Sequence, residues 1–366
     1  MTKTLMIAGG GTGGHIYPAI AIAHAWVERD PSRRAVFVGT EKGLEKRIVP
    51  KSGFPLELIS VGGLKGKGGL DLVRNLARLP VGFIQAWRVV GRHEPSVVLG
   101  VGGYSSGPVL AAAALRGIPT MIHEQNAYPG LTNRLLAKFV KGVAVAFADA
   151  LPRLKRTDGV VTGNPVRQEF FEAAGKGVAA HAAGARARRL LVFGGSQGSH
   201  ILNETMSGAL LFLARLKDQM EIVHQTGQHD LERVREAYRA SPFPAARVVP
   251  YLDPMAVEIA AADLVVSRAG AMTIGELCAI GRAAVLVPFG AATNNHQELN
   301  ARVVEAAGGA VVLTEKELSP EKLAGTIAAI IGDPQRAAGM GEAARRLAAP
   351  EATKKIVDHI ETIQRN

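Results

Sequence analysis

Short apolar runs recur along the chain. Each is followed by a turn of small residues and then by a stretch with apolar positions at helical spacing. The first series reads "TLMIAG", "AVFVGT", "SVVLGVGG", "TMIHEQ", "GVAVAF" and "GVVTG". A second begins at "RLLVFGGS" and continues through "MEIVHQTG", "ARVVPYL", "DLVVSRAG", "AAVLVPF" and "GAVVLT". Strands that are apolar on both faces and alternate with helices predict a parallel sheet covered on both sides. Two such series predict two doubly wound α/β domains of Rossmann-like type, the second opening as the first does, with a strand, a glycine loop and a helix. The break falls near "TGNPVR" (Thr162–Arg167), where Asn-Pro signals a turn. Residues 1–163 are expected to form one domain and 164–340 the other, with a terminal helix, 341–366, packing back on the first. The Ala/Gly-rich stretch 172–188 reads as an excursion before the second domain's first strand.

Composition narrows the function classes. A length of 366 residues suits two domains. The single cysteine, Cys278, excludes an internal disulfide and sits among apolar neighbours as core filler. "MTKT" runs straight into a strand, so no secretory leader is read, and no uncharged apolar run is long enough to span a bilayer. The net charge is +11, and all of it lies in the first half: residues 1–160 hold 21 Lys and Arg against 10 Asp and Glu, whereas the rest hold 22 and 22. A basic half points to an anionic partner or surface. Nucleic acid is not expected, because no stacking aromatics are interleaved with the bases.

Three glycine loops follow strands and precede helices: "GGGTGGH" (Gly9–His15), "GVGGYSSGP" (Gly100–Pro108) and "GGSQG" (Gly194–Gly198). Bare backbone and helix N-termini at strand ends are seats for phosphate or for developing charge. His15 closes the first loop, and imidazole is the side chain suited to proton transfer near neutrality. The fingerprint Gly9-x-Gly11-x-x-Gly14 also fits a dinucleotide enzyme, but "AVFVGT" ends without the acid that would hold a ribose. "IHEQNAYPG" gathers polar side chains at another strand end, with Glu124 as a rival base. In "SRAGAMTIGE", Glu276 lies near a small-residue helix start, placed to accept from a ribose diol. "TNNHQELNA" supplies donors and acceptors for sugar hydroxyls, Gln297 and Asn300 among them. No metal-ligand cluster or Asp-x-Asp pattern is present, so no metal or cofactor is expected.

The motifs "GGTGGH", "GVGGYSSGP", "HEQNAYPGLTNRLLA", "GNPVR", "GGSQG", "SRAGAMTIGE" and "HQELNA" stand in the order and spacing of the MurG family of bacterial cell-wall glycosyltransferases, and the resemblance runs nearly end to end. It implies a GT-B fold, two Rossmann-like domains facing a cleft, with the lipid acceptor on the first domain and the nucleotide sugar on the second. The implied reaction is inverting transfer of N-acetylglucosamine from its UDP carrier to the 4-hydroxyl of lipid I, the undecaprenyl-pyrophosphoryl-muramoyl-pentapeptide, giving lipid II. The implied donor site comprises Thr12, Gly13, Gly14, Asn126, Arg167, Ser196, Leu252, Ala271, Met272, Thr273, Ile274, Gly275, Glu276, Gln297 and Asn300. His296 stands where the family carries a second glutamine. Gly102, Gly103, Tyr104 and Ser105 form the acceptor-side loop. His15 or Glu124 is the base, and Arg167, Ser196 and the helix starts stabilise the departing UDP.

Between Leu64 and Arg92, apolar Leu72, Val73, Leu76, Leu79, Phe83 and Trp87 are ringed by Lys65, Lys67, Arg74, Arg78, Arg88 and Arg92. This patch is expected to form two short helices broken at Pro80 and Gly82. It would hold the protein peripherally on the anionic, cytoplasmic face of the cell membrane. The rival readings are a UDP-N-acetylglucosamine 2-epimerase, which shares the architecture, a Rossmann oxidoreductase, and a non-catalytic nucleotide-sugar or lipid binder.

Overall fold

The computed structural model describes residues 3–61, 79–181 and 187–365. The chain divides into two compact units, one of residues 1–166 with 351–366, the other of 167–350. In the N-terminal unit the strands are β1 (Thr4–Gly9), β2 (Arg34–Thr40), β3 (Leu56–Ile59), β4 (Val97–Gly102), β5 (Thr120–Glu124), β6 (Gly142–Val145) and β7 (Val160–Val161). They form one parallel sheet in the order β3-β2-β1-β4-β5-β6-β7. β3 is absent from the apolar series because, as an edge strand, it is only partly covered.

Alternation along the central strands sends side chains to two faces. On one, Leu5, Ile7, Val97 and Leu99 pack with Ile16, Ile22 and Trp26 of α1 (Gly13–Glu28). On the other, Met6, Ala8 and Val98 meet Val89 and Val90 of α3 (Leu79–His93) and Val109 and Leu110 of α4 (Ser106–Leu115). Between them in sequence lies the short α2 (Glu45–Lys51). In α3, Pro80 is the second described residue, and the helix continues through Gly82 without a break. A Cβ at Gly82 would collide with Val61, so that glycine permits close packing.

In the C-terminal unit, β8 (Arg188–Phe193), β9 (Met220–Gln225), β10 (Arg247–Val249), β11 (Leu264–Ser267), β12 (Ala284–Leu286) and β13 (Ala310–Val312) make a second parallel sheet, ordered β10-β9-β8-β11-β12-β13. The fold class is therefore two parallel-sheet α/β domains. In each sheet the strand order reverses beside the first strand, between β1 and β4 and between β8 and β11. Ligands of such sheets bind at the carboxyl ends of these strands.

The return to the N-terminal unit comes at residue 351, not at 341. Helix 334–345 stays with the C-terminal unit, where the Arg345 guanidinium donates to the Ile280 carbonyl at 3.1 Å. The last helix, Ala352–Arg365, buries Ile356, Val357, Ile360 and Ile363 in the same core as α1. Arg29 and Arg33 pin it through Asp358 at 2.6 Å and Glu361 at 2.8 Å.

Candidate functional site

The carboxyl edge of the N-terminal sheet brings three predicted loops together. Thr12 is the extended N-cap of α1, and Gly13 and Gly14 open the helix with no side-chain cap and no acid in its first turn. His15 follows, half-buried, with its ring against the end of β4. A Cβ on Gly102 would lie 2.9 Å from His15 Cε1, and one on Gly103 would lie 2.6 Å from the Gly10 carbonyl. Both glycines have positive φ, +95° and +86°, so bare left-handed backbone is what lets the two loops interlock. Beyond them Tyr104 is exposed, while Ser105 is fully buried with its hydroxyl unpartnered.

His15 Nδ1 lies 3.0 Å from Gln125 Oε1. Gln125 in turn lies beside the buried His123, whose ring is held down at about 4 by burial. Glu124 is buried and filled: it accepts from the Asn126 amide N–H at 3.0 Å, the Asn126 side chain at 3.1 Å, the Gly130 N–H at 3.0 Å and Asn133 at 2.8 Å. These bonds fold the loop that leads into the helix Leu131–Leu136. Glu124 therefore shapes backbone.

Glu45 is a site residue that the sequence reading missed. It is 1% exposed, and accepts from the Gly11 N–H at 2.8 Å, the Thr40 N–H at 2.9 Å and the Thr40 hydroxyl at 3.0 Å. Gly10, Gly39 and Gly43 press so closely on it that a Cβ at any of them would collide with its side chain. The Gly11 N–H is thus already bound to a carboxylate, which opposes a diphosphate at that donor. The end of β2 carries Thr40 turned to Glu45 in place of a ribose-binding acid, which disfavours a dinucleotide. Part of this environment is local, since Gly39, Thr40 and Gly43 lie within six residues of Glu45, but its contact with the first glycine loop spans 34 positions.

The C-terminal unit gathers its candidates on the loops after β8, β10, β11 and β12. Ser196 is exposed in the glycine loop before the helix His200–Ala209, and Leu252 is buried after β10. Ala271, Met272, Thr273, Ile274, Gly275 and Glu276 form the first turns of the helix Ala271–Ile280. Its N-cap, Gly270, has no side chain, and its first turn has no acid to offset the helix dipole. Ala271 and Ile274 face the core, and the other four are partly exposed. Arg167 reaches Glu276 at 3.6 Å and Glu169 at 2.9 Å. Burial nevertheless pushes the Glu276 carboxyl up to about 7, the Arg167 charge opposing and Glu169 adding to the shift. Gln297 accepts from the Phe289 backbone N–H at 3.0 Å, and Asn300 is fully buried.

Helix α3 turns Val81, Ile84 and Trp87 outward, and Leu131, Leu135 and Phe139 are exposed on the same unit. The Arg116 guanidinium covers the Trp87 ring at 4.1 Å. Phe83 packs inward on the core, so it is not part of an exposed patch. Residues Leu64, Lys65, Lys67, Leu72, Val73, Arg74, Leu76 and Arg78 of the predicted patch lie outside the described residues, and of Leu79 only the backbone is described. No described helix is long and apolar enough to cross a membrane. Among the described residues, no three His, Cys, Asp or Glu side chains gather as metal ligands would.

The sequence matches the glycosyltransferase family 28 N-terminal domain over residues 5–145 and the family 28 C-terminal domain over 189–362. It is 47% identical, over 97% of this chain and 91% of the other, to the UDP-N-acetylglucosamine–N-acetylmuramyl-(pentapeptide) pyrophosphoryl-undecaprenol N-acetylglucosamine transferase of Myxococcus xanthus. The crystal structure of Acinetobacter baumannii MurG superposes with a TM-score of 0.84 at 30% identity, covering 98% of this chain and 99% of that one. A UDP-GlcNAc 2-epimerase from Neisseria meningitidis shares the fold, with a TM-score of 0.68, but only 13% identity, over 98% and 100% of the two chains. The chain is a glycosyltransferase of family 28 and belongs, with the Myxococcus xanthus and Acinetobacter baumannii proteins, to the MurG family.

Proposed function

We propose that the chain transfers N-acetylglucosamine from UDP-N-acetylglucosamine to the 4-hydroxyl of an undecaprenyl-pyrophosphoryl-N-acetylmuramoyl-pentapeptide. His15 takes the proton of the acceptor hydroxyl as that oxygen bonds to the anomeric carbon. The bond from that carbon to UDP breaks, and its electron pair leaves on the β-phosphate oxygen. Attack opposite the leaving group inverts the anomeric centre. One observation carries the roles: at the carboxyl edge of the N-terminal sheet, Glu124 is filled by four donors from its own loop and the helix after it, which leaves His15, half-buried and flanked by bare glycine, as the base.

The donor is assigned to the C-terminal unit. The uncapped start of helix Ala271–Ile280 and Arg167 oppose the diphosphate charge, and Glu276 accepts from the ribose diol. The acceptor is assigned to the N-terminal unit and its loop Gly102–Ser105. The outward Val81, Ile84 and Trp87, with Arg88 and Arg116 beside them, support peripheral attachment to an anionic lipid surface on the cytoplasmic side.

Mass spectrometry of the enzyme with donor, lipid acceptor or both tests the reading. UDP and the disaccharide-lipid should form together and only with both substrates. Epimerised sugar, or UDP released without the acceptor, would overturn it.

A further inference from the structure

The hydrogen bonds around Gln125 determine where each proton lies. Its Nε2 sits 3.1 Å from His123 Nδ1 and 3.3 Å from the His123 carbonyl. A carbonyl only accepts, so the end of the amide facing it is the NH2 group. The other end, 3.0 Å from His15 Nδ1, is then the oxygen, and an amide oxygen also only accepts. His15 must therefore carry its proton on Nδ1. His123 closes the array: its Nε2 lies 3.3 Å from the Gly163 carbonyl, so that nitrogen bears the proton and Nδ1 accepts from Gln125. His123 is fully buried and its ring is neutral at physiological pH, held down at about 4. Asn164 donates to the Gln125 backbone carbonyl at 3.0 Å and steadies the strand end that carries the amide.

We propose that Gln125 and His123 are positioning residues that lock His15 in its Nδ1–H form, so that Nε2 presents the lone pair that receives the acceptor's proton. The inference rests on His15 being the base. Two backbone carbonyls, of His123 and Gly163, set the direction of the whole chain of bonds, and neither can reverse. Gln125 does the orienting work that a carboxylate does in many catalytic dyads, with one difference. An amide fixes the ring without adding a negative charge that would favour the imidazolium. It takes no proton itself, so the proton gained by Nε2 leaves to solvent or product while Nδ1 goes on donating to Gln125.

The array has a signature independent of activity. In histidine-15N-labelled protein at alkaline pH, long-range proton–nitrogen correlation separates protonated from bare ring nitrogens, and the His15→Ala spectrum identifies the His15 signals. The expected pattern is His15 protonated on Nδ1 and His123 on Nε2. In Gln125→Leu the His15 proton should move to Nε2, in part or fully, and kcat should fall at least tenfold, by the logic of a base held in the wrong tautomer. In Gln125→Glu the acidic limb of the kcat/KM profile should rise by about 1 unit or more, since a carboxylate now faces the ring. A wild-type His15 protonated on Nε2, or a His15 pattern and pH profile unmoved in both variants, overturns the inference and leaves the base assignment standing. Near-normal turnover in His15→Ala overturns the base assignment itself, whatever the spectra show.

Discussion

Two glutamates hold comparable places in the two units. Glu124 ends β5 of the N-terminal sheet, and Glu276 lies in the helix that follows β11 of the C-terminal one. Glu124 is buried, and Glu276 is largely so. Glu124 is met by four donors from its own loop and the helix after it, at 2.8 to 3.1 Å. Glu276 is met by the Arg167 guanidinium at 3.6 Å, and burial holds its carboxyl up at about 7. The histidines repeat the contrast in reverse. His123 connects through Gln125 to the half-buried His15, whereas His224, equally buried, bonds to Tyr238 and to Asn203, whose side chain passes on to Asp230. An ionisable group near a sheet's carboxyl edge is not thereby a working group. What its neighbours leave unfilled decides.

The largest effect should separate the units by kind of loss. His15→Ala is expected to lower kcat by about 10²- to 10⁴-fold, the usual worth of a general base, with UDP affinity in calorimetry unchanged. A parallel loss of UDP binding would erase the division between a proton-accepting unit and a donor-holding one.

Next comes the pH dependence of stability, where a buried carboxyl and two buried histidines pull in opposite directions. The Glu276 carboxyl is raised from 4.5 to about 7 in the fold. Between those values the folded chain keeps a proton that the unfolded chain releases, so this group's contribution falls as pH rises, by about 3 kcal/mol in all. His123 and His224 are lowered from 6.5 to about 4 and about 3. As pH drops below 6.5 the unfolded chain takes up protons that the fold refuses, and each ring costs about 1.4 kcal/mol per unit. Thermal or denaturant unfolding of Glu276→Gln against the parent should show the variant gaining on the parent from pH 4.5 to 7. A constant difference across that window would mean that Glu276 is solvated.

A smaller change tests the carboxylate as a ligand group. Glu276→Ala should weaken uridine binding by about 1–3 kcal/mol, and 2′-deoxyuridine should lose much less on the same substitution. Uridine carries the ribose without a titrating phosphate, so equal losses for the two nucleosides would leave Glu276 as a helix residue only.

The smallest effect contrasts the surfaces. Ile84→Ser with Trp87→Ser should reduce sedimentation with anionic vesicles and spare UDP affinity. Binding of the parent should fall with salt, each base near the surface being worth about 1 kcal/mol. Equal sedimentation with neutral vesicles would detach the basic first half from any role at a membrane.

The sheets were largely legible in the chain because apolar periodicity is local. β1, β4, β8 and β11 read as buried strands since both their faces are covered, while β3, exposed at an edge, was not seen. The glycine loops and the motif order were equally plain, and they sufficed for the family. Helix was expected around α3, but the break expected at Pro80 and Gly82 is absent from it and Phe83 was assigned to the wrong face, because a few residues of helix do not say which side meets the sheet.

What the sequence by itself determined is the architecture, the family and the set of polar residues brought to the carboxyl edges. What only the tertiary structure decided is which of those residues are spent. Glu45 grips Gly11 across 34 positions of sequence, and His15 meets Gln125 across 110. Periodicity and turn chemistry report on a residue's near neighbours along the chain, whereas the filling of a carboxylate or the tautomer of an imidazole depends on groups that folding alone brings within 3 Å.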